Sequence, residues 1–276
     1  MSAAAGLRIA VIGDVGGHLD ALRAQLASLG VPDGTGPLPP DLRVIQVGDL
    51  VHRGPDSAGV VALVDGYLRR QPQGWLQLVG NHELFYLRRR QFSWDSRVPR
   101  ATATVLRDWW RRGMMQVAAS FRAGDEQFLV THAGLTHAFW AQVLGAPGHA
   151  GAAARALNRL AATQPRTVFR SGSLVHGREP TPLAGPVWAA AGDEVVAGWL
   201  AHPLPFSQLH GHTSVVHWES GRWYLQPEAR HLVELDAERR HTAIALSGGR
   251  LIGVDAGDAA LRRGEGRAWV TTGVLD

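Results

Sequence analysis

Apolar residues run along this chain in short blocks, and each block ends on a polar tip. Leu7 to Ile12 reads as a buried strand that stops at Gly13-Asp14. Asp20 to Leu29 then places Leu22, Leu26 and Leu29 at helical spacing, with Gly30 positioned to end the helix. The Pro- and Gly-rich stretch from Val31 to Asp41 is loop. Leu42 to Val47 is a second strand, closed by Gly48-Asp49, and Ser57 to Arg70 a second helix with Val60, Val61, Val64 and Leu68 on one side. Trp75 to Val79 is a third strand, closed by Gly80-Asn81-His82 and followed by another helix. Strand, polar tip and helix thus recur three times, the signature of an α/β architecture with a partly parallel sheet. In such sheets ligands bind beyond the carboxyl ends of the strands, where these tips lie.

Further along, Arg100 to Arg112 reads as a helix, and Gly145 to Ala162 and Gly192 to His202 each hold helical pattern. Phe128 to Thr131 is a strand running into His132-Ala133-Gly134, and Ser207 to His210 one running into Gly211-His212-Thr213. Arg222 to Leu225, His231 to Leu235, Thr242 to Leu246 and Leu251 to Val254 are β-like pieces between turn signals, which predicts a second, more antiparallel sheet.

Composition narrows the chemistry. With 276 residues, 45% of them hydrophobic, the chain can build a large core, and no linker divides it, so residues 1–276 are expected to form a single domain. The absence of cysteine excludes disulfides and thiolate metal sites. Basic residues number 28 against 24 acidic ones, and every basic residue is Arg; this raises the pI to about 10.5 without a large charge at pH 7. The short clusters Arg88-Arg89-Arg90 and Arg111-Arg112 read as solvated helix faces, so no nucleic-acid partner is expected. No apolar run approaches a membrane span and the first residues lack a signal-peptide pattern, so a cytoplasmic protein without a membrane partner is expected.

The tips supply Asp14, Asp49, Asn81-His82, His132 and His212, all oxygen or nitrogen donors suited to Mn, Fe, Zn or Mg. Asp14, Asp49, Asn81 and His212 each follow a glycine, which lets backbone and ligand approach closely. Singly, each has a plain structural explanation as a turn residue, a cap or a core histidine. His18, His137, His202, His210 and His217 are read that way, as is Trp109-Trp110 packing on a helix, and Arg170 is read as a surface residue. The ordered set is what carries a functional argument.

That set, Gly13-Asp14, Gly48-Asp49-Leu50-Val51-His52-Arg53-Gly54-Pro55-Asp56-Ser57, Gly80-Asn81-His82-Glu83, Thr131-His132-Ala133-Gly134-Leu135 and Gly211-His212-Thr213, resembles the calcineurin-like metallophosphoesterases, and within them the phosphoprotein-phosphatase branch and its bacterial relatives. The resemblance implies a four-layer αββα sandwich of two mixed sheets flanked by helices. It implies two divalent metal ions, manganese by expectation, with iron or zinc as alternatives. Asp49 would bridge them, Asn81, His132 and His212 would complete the second site, and Asp14 would bind the first metal. His82 would protonate the leaving oxygen and Arg53 would bind phosphate. The implied reaction is attack of metal-bound hydroxide on a phosphate monoester, with phosphoserine or phosphothreonine proteins as the first expectation. A nucleotide or dinucleoside-polyphosphate hydrolase is the rival, and a catalytically impaired binding module of the same fold the reading of another class.

Two departures from the family pattern concern the first metal. The string Asp14-Val15-Gly16-Gly17-His18 has Gly16 where the family has a ligand His, and His52 stands where the family has the Asp that pairs with the leaving-group His. Either His52 or His18 supplies the missing ligand, or the first site loads poorly. His52, three residues from Asp49 on the same loop, is the expected substitute.

Overall fold

The computed structural model describes residues 6–87, 97–176 and 179–276; the Arg88-Arg89-Arg90 cluster lies outside them. Its strands are β1 (Leu7–Ile12), β2 (Leu42–Gln46), β3 (Trp75–Leu78), β4 (Met115–Gln116), β5 (Ala118–Ala123), β6 (Glu126–Thr131), β7 (Ser207–His210), β8 (Val216–His217), β9 (Arg222–Trp223), β10 (Val233–Asp236), β11 (His241–Leu246), β12 (Gly249–Gly253) and β13 (Trp269–Leu275). The longer helices are α1 (Leu19–Ser28), α2 (Ser57–Arg70), α3 (Asn81–Leu87), α4 (Arg100–Arg111) and α5 (Ala150–Thr163).

The ladder runs in the order β10-β11-β12-β7-β6-β5-β13-β1-β2-β3-β4. β1 to β4 are parallel neighbours, as are β6, β7 and β12, while β10, β11 and β12 pair antiparallel. β13 joins the two halves: its first part pairs with β1 and its last two residues with β5. β8 and β9 form a separate two-stranded sheet.

Side chains alternate across a strand, and here the alternation divides the core. From β1, Ile9 and Val11 join Ile45 and Val47, Phe121, Phe128, Val130, Leu209 and Ile252 in one buried cluster, so the two halves of the ladder face each other. Ala10, Ile12 and Val44 point the other way, into a cluster with Leu22, Leu26, Val60, Val64, Leu106 and Trp109 from the helices. Leu129 and Ala118 likewise pack with Ala153 and Leu157 of α5. The result is the expected sandwich of sheets with helices outside. Fully burying each of these large apolar side chains contributes roughly 1.5–3 kcal/mol. This packing fixes where the strand ends lie. Capping helps locally: Asp56 accepts a 2.7 Å bond from Gly59 N and starts α2 immediately after the loop that carries Asp49, His52 and Arg53.

Candidate metal centre

The tips of β1, β2, β3, β6 and β7 meet at one edge of the sandwich, and the glycines explain how. A Cβ on Gly80 would collide with Asp49 Oδ1, and one on Gly211 with Asp14 Oδ1. Each glycine therefore makes room for the carboxylate of a neighbouring tip. Asp49 (φ 55°), His52 (φ 73°), Arg53 (φ 63°) and His212 (φ 65°) all lie in the left-handed region. Non-glycine residues are held there only when the surroundings over-determine them, and such residues concentrate at functional sites.

The structure brings Asp14, Asp49, Asn81, His132 and His212 together. One ligand atom each from Asp49, His132 and His212 lies within 4.8 Å of the others. His132 Nδ1 is 3.1 Å from the Val47 carbonyl. In the tautomer that donates from Nδ1 to this carbonyl, Nε2 of the neutral ring presents a lone pair. That lone pair faces Asn81 Oδ1 at 2.9 Å and Asp49 Oδ1 at 3.5 Å. Three potential ligand atoms thus converge. His212 Nε2 is buried and, among the described residues, has no hydrogen-bond partner. Its backbone N–H donates to Asp14 Oδ1 at 2.9 Å, and its ring lies 4.9 Å from that of His132. Burial pushes both imidazoles down, His212 to about 3 and His132 well below its usual value, so both are neutral donors at pH 7. A divalent cation would satisfy this nitrogen–oxygen set.

Glu83 locks the scaffold. Its carboxylate accepts from Gly80 N at 2.9 Å, Asp49 N at 2.8 Å and Leu50 N at 2.8 Å, tying the tips of β2 and β3 together. Burial, followed by the charge of Asp49, raises it to about 7. Burial likewise pushes Asp49 up to about 7, against the His82 backbone N–H bond at 2.9 Å and the Arg53 charge. Asp14 is raised well above the usual carboxylate range by burial and then by Asp255 and Asp49. Buried carboxylates that repel one another are relieved by a cation.

His82 Nδ1 is 2.9 Å from the Val51 carbonyl and so donates to it, which leaves Nε2 facing Asp49 Oδ2 at 3.4 Å. Arg53 is exposed and lines both a small cavity, with Asp14, Gly16, Asp49 and His82, and an adjoining groove of about 590 Å³. His212, Trp218 and Tyr224 also line that groove.

His52 lies elsewhere than expected. Its Nε2 is 2.6 Å from the Tyr86 hydroxyl, and its ring packs 5.1 Å from His82 and edge-on to Phe85. The left-handed backbone at His52 and Arg53 turns this side chain onto α3, while Arg53 lines the cavity. His18 is also engaged, with Nε2 2.8 Å from Asp258 Oδ1. A residue that sequence reasoning missed, Asp255, lines the small cavity beside Asp14 and Asp49. Its signal was present, since Asp255 follows the apolar end of β12 as Asp14 follows β1.

No curated protein matches the sequence significantly. Among solved structures, a cold-active protein-tyrosine phosphatase from a psychrophilic Shewanella superposes with a TM-score of 0.55 at 15% identity, covering 96% of this chain and 75% of that one. A structure described as a putative diadenosine tetraphosphatase has a TM-score of 0.39 at 19% identity, covering 93% of this chain and 86% of the other. The first likeness concerns the fold. The sequence itself matches the family model for calcineurin-like phosphoesterase over residues 7–236. That span holds the converging Asp, Asn and His donors, and the chain accordingly belongs to the calcineurin-like phosphoesterases, a metal-dependent family of phosphoric-ester hydrolases.

Proposed function

We propose that this protein hydrolyses phosphate monoesters with two divalent ions, manganese first, held around Asp49. The observation that carries the reading is the convergence of lone pairs from Asp49, Asn81, His132 and His212 beside His82 and Arg53. When bound, such a pair of ions polarises the phosphate and activates a water for in-line attack. Arg53, exposed at the mouth, binds the phosphate oxygens and orients the phosphorus. His82 keeps its Nδ1 proton on Val51, so Nε2 is the atom that gives a proton to the leaving oxygen. Burial holds this ring neutral, down to about 3, and an arriving phosphate dianion favours the protonated form.

The motif strings around Asp49, Asn81 and His132 support phosphoserine or phosphothreonine side chains as substrate. A second reading, a dinucleoside polyphosphate, is favoured by Trp218 and Tyr224 in the groove beside Arg53 and His212, since aromatic faces stack on bases. The test is turnover by chelator-stripped protein reconstituted with manganese. An aryl phosphate should be cleaved and a chelator should abolish cleavage. Phosphopeptide and dinucleoside tetraphosphate run side by side then rank the two substrate readings. Turnover indifferent to metal would overturn the proposal.

A further inference from the structure

We infer that Asp255 is a ligand of the first metal and supplies the donor that Gly16 cannot; this rests on the phosphoesterase reading above. The small cavity is lined by Asp14, Gly16, Asp49, Arg53, His82, Asp255, Asp258 and Leu261 and holds about 10 Å³. That is room for roughly one water or one ion. Four carboxylates line it, Asp14, Asp49, Asp255 and Asp258, against the guanidinium of Arg53. A second observation, independent of the acidic groups, points to a cation beside them: the lone pairs of His132 Nε2 and Asn81 Oδ1 and the unpartnered His212 Nε2 gather on the other side of Asp49.

The backbone delivers Asp255 to this place. Val254 N donates to His210 O at 2.8 Å, which extends the β12–β7 pairing to the tip. A Cβ on Gly13 would collide with the Val254 carbonyl, so the glycine before Asp14 admits the end of β12. Trp218 Nε1 donates to the Asp255 carbonyl at 3.3 Å. Gly257 N donates to Asp255 Oδ1 at 2.9 Å, and among the described residues this is the one hydrogen bond to that carboxylate. The second carboxylate oxygen is thereby left for a ligand.

The rival donors are committed. Asp258 offers Oδ1 to His18 and Oδ2 to Arg262, both at 2.8 Å. His52 offers Nε2 to Tyr86 and does not line the cavity.

The experiment is manganese stoichiometry on chelator-stripped protein, by calorimetric titration and elemental analysis of the dialysed complex. Wild type should bind two ions per chain, Asp255→Asn one, and Asp258→Asn two. Circular dichroism confirms that each variant is folded. Two ions in folded Asp255→Asn would overturn the inference and leave the phosphoesterase reading standing, whereas no ion in wild type would sink both. One ion in wild type would overturn the first site alone. Asp255→His serves if Asp255→Asn fails to fold. Exchanging carboxylate for imidazole should shift the first site from manganese toward zinc by about tenfold or more, and an unchanged preference would refute a ligand role.

Discussion

Around Asp49 the site has two halves of different chemistry. Toward His132 the donors are imidazoles and an amide: His132 is held by Val47 O, and Asn81 sits at the start of α3, which Glu83 ties to β2. Toward Asp14 the donors are carboxylates, gathered at a cavity with a glycine in its wall. Nitrogen-rich sites favour zinc and iron, whereas oxygen-rich sites suit harder ions such as manganese and magnesium. The first half is preorganised at the cost of left-handed backbone at Asp49 and His212. The second depends on charge, so it should load last and empty first.

Removing the residue the halves share gives the largest effect. Asp49→Ala should lower aryl-phosphate turnover by about a thousandfold or more, because in the proposed two-ion site one carboxylate serves both ions, and elemental analysis should show both ions lost. Retention of turnover would mean that the two halves do not cooperate. His132→Ala should strip the nitrogen side. If it empties the carboxylate side equally, the distinction between the halves fails.

The distinction is also tested by pH. His132 and His212 are neutral at physiological pH, so they ask for no proton to leave. Asp49, pushed up to about 7, and Asp14, raised higher than an ordinary carboxylate, must release protons before they coordinate. The sign follows: an acid whose folded pKa is raised binds metal more weakly below that pKa, and affinity climbs as pH rises through it. Manganese should therefore raise the melting temperature more at pH 8 than at pH 6, and titration at pH 6 should release protons into the buffer. A pH-independent stabilisation would remove the carboxylates from the binding event.

Much of this was legible in the chain. The strand–tip–helix pattern placed Asp14, Asp49, Asn81, His132 and His212 at strand ends, and the sandwich brings them to one edge. β5 and β13 were not legible. Ala118–Ala123 mixes small and polar residues, and Trp269–Leu275 exposes alternate side chains, so neither makes an apolar run. β13 is defined instead by pairing with β1, more than 250 residues away in sequence. Asp255 stands at a strand end as Asp14 does, but its nearness to Asp14 comes from tertiary pairing, which the strand-end pattern does not carry. His52 failed on direction. Three residues from Asp49 is near in sequence, but the left-handed turn sends its ring to Tyr86 and His82.

His52→Ala sharpens that last point. With the ring packed on His82, its removal should leave both ions bound and alter the pH profile of turnover, since burial is the main cause that holds His82 down and the packed ring is part of that burial. Loss of the first ion in this variant would restore His52 as a ligand and contradict the observed orientation.

The smallest expected effect comes from Gly16→His, which returns an imidazole to the carboxylate side. Space is available: a Cβ at Gly16 meets nothing nearer than His52 O at 3.7 Å and Arg53 Cβ at 3.8 Å. Gly16 has φ +52°, where an L-residue costs roughly 1–2 kcal/mol, so the metal-free variant should melt a few degrees lower. Gly17, at φ +74°, cannot share the change, because a Cβ there would press on Ser57 Oγ and His52 O within 3.0 Å. The new imidazole lies at the wall of the cavity that Asp14, Asp49 and Asp255 line. If those carboxylates already hold an ion, a fourth donor should tighten first-site manganese binding only several-fold, and zinc binding more than manganese, as nitrogen donors dictate. A gain of a hundredfold or more would instead mean that the carboxylate side is crippled without its histidine. Calorimetric titration of wild type and variant, each with manganese and then zinc, separates these outcomes.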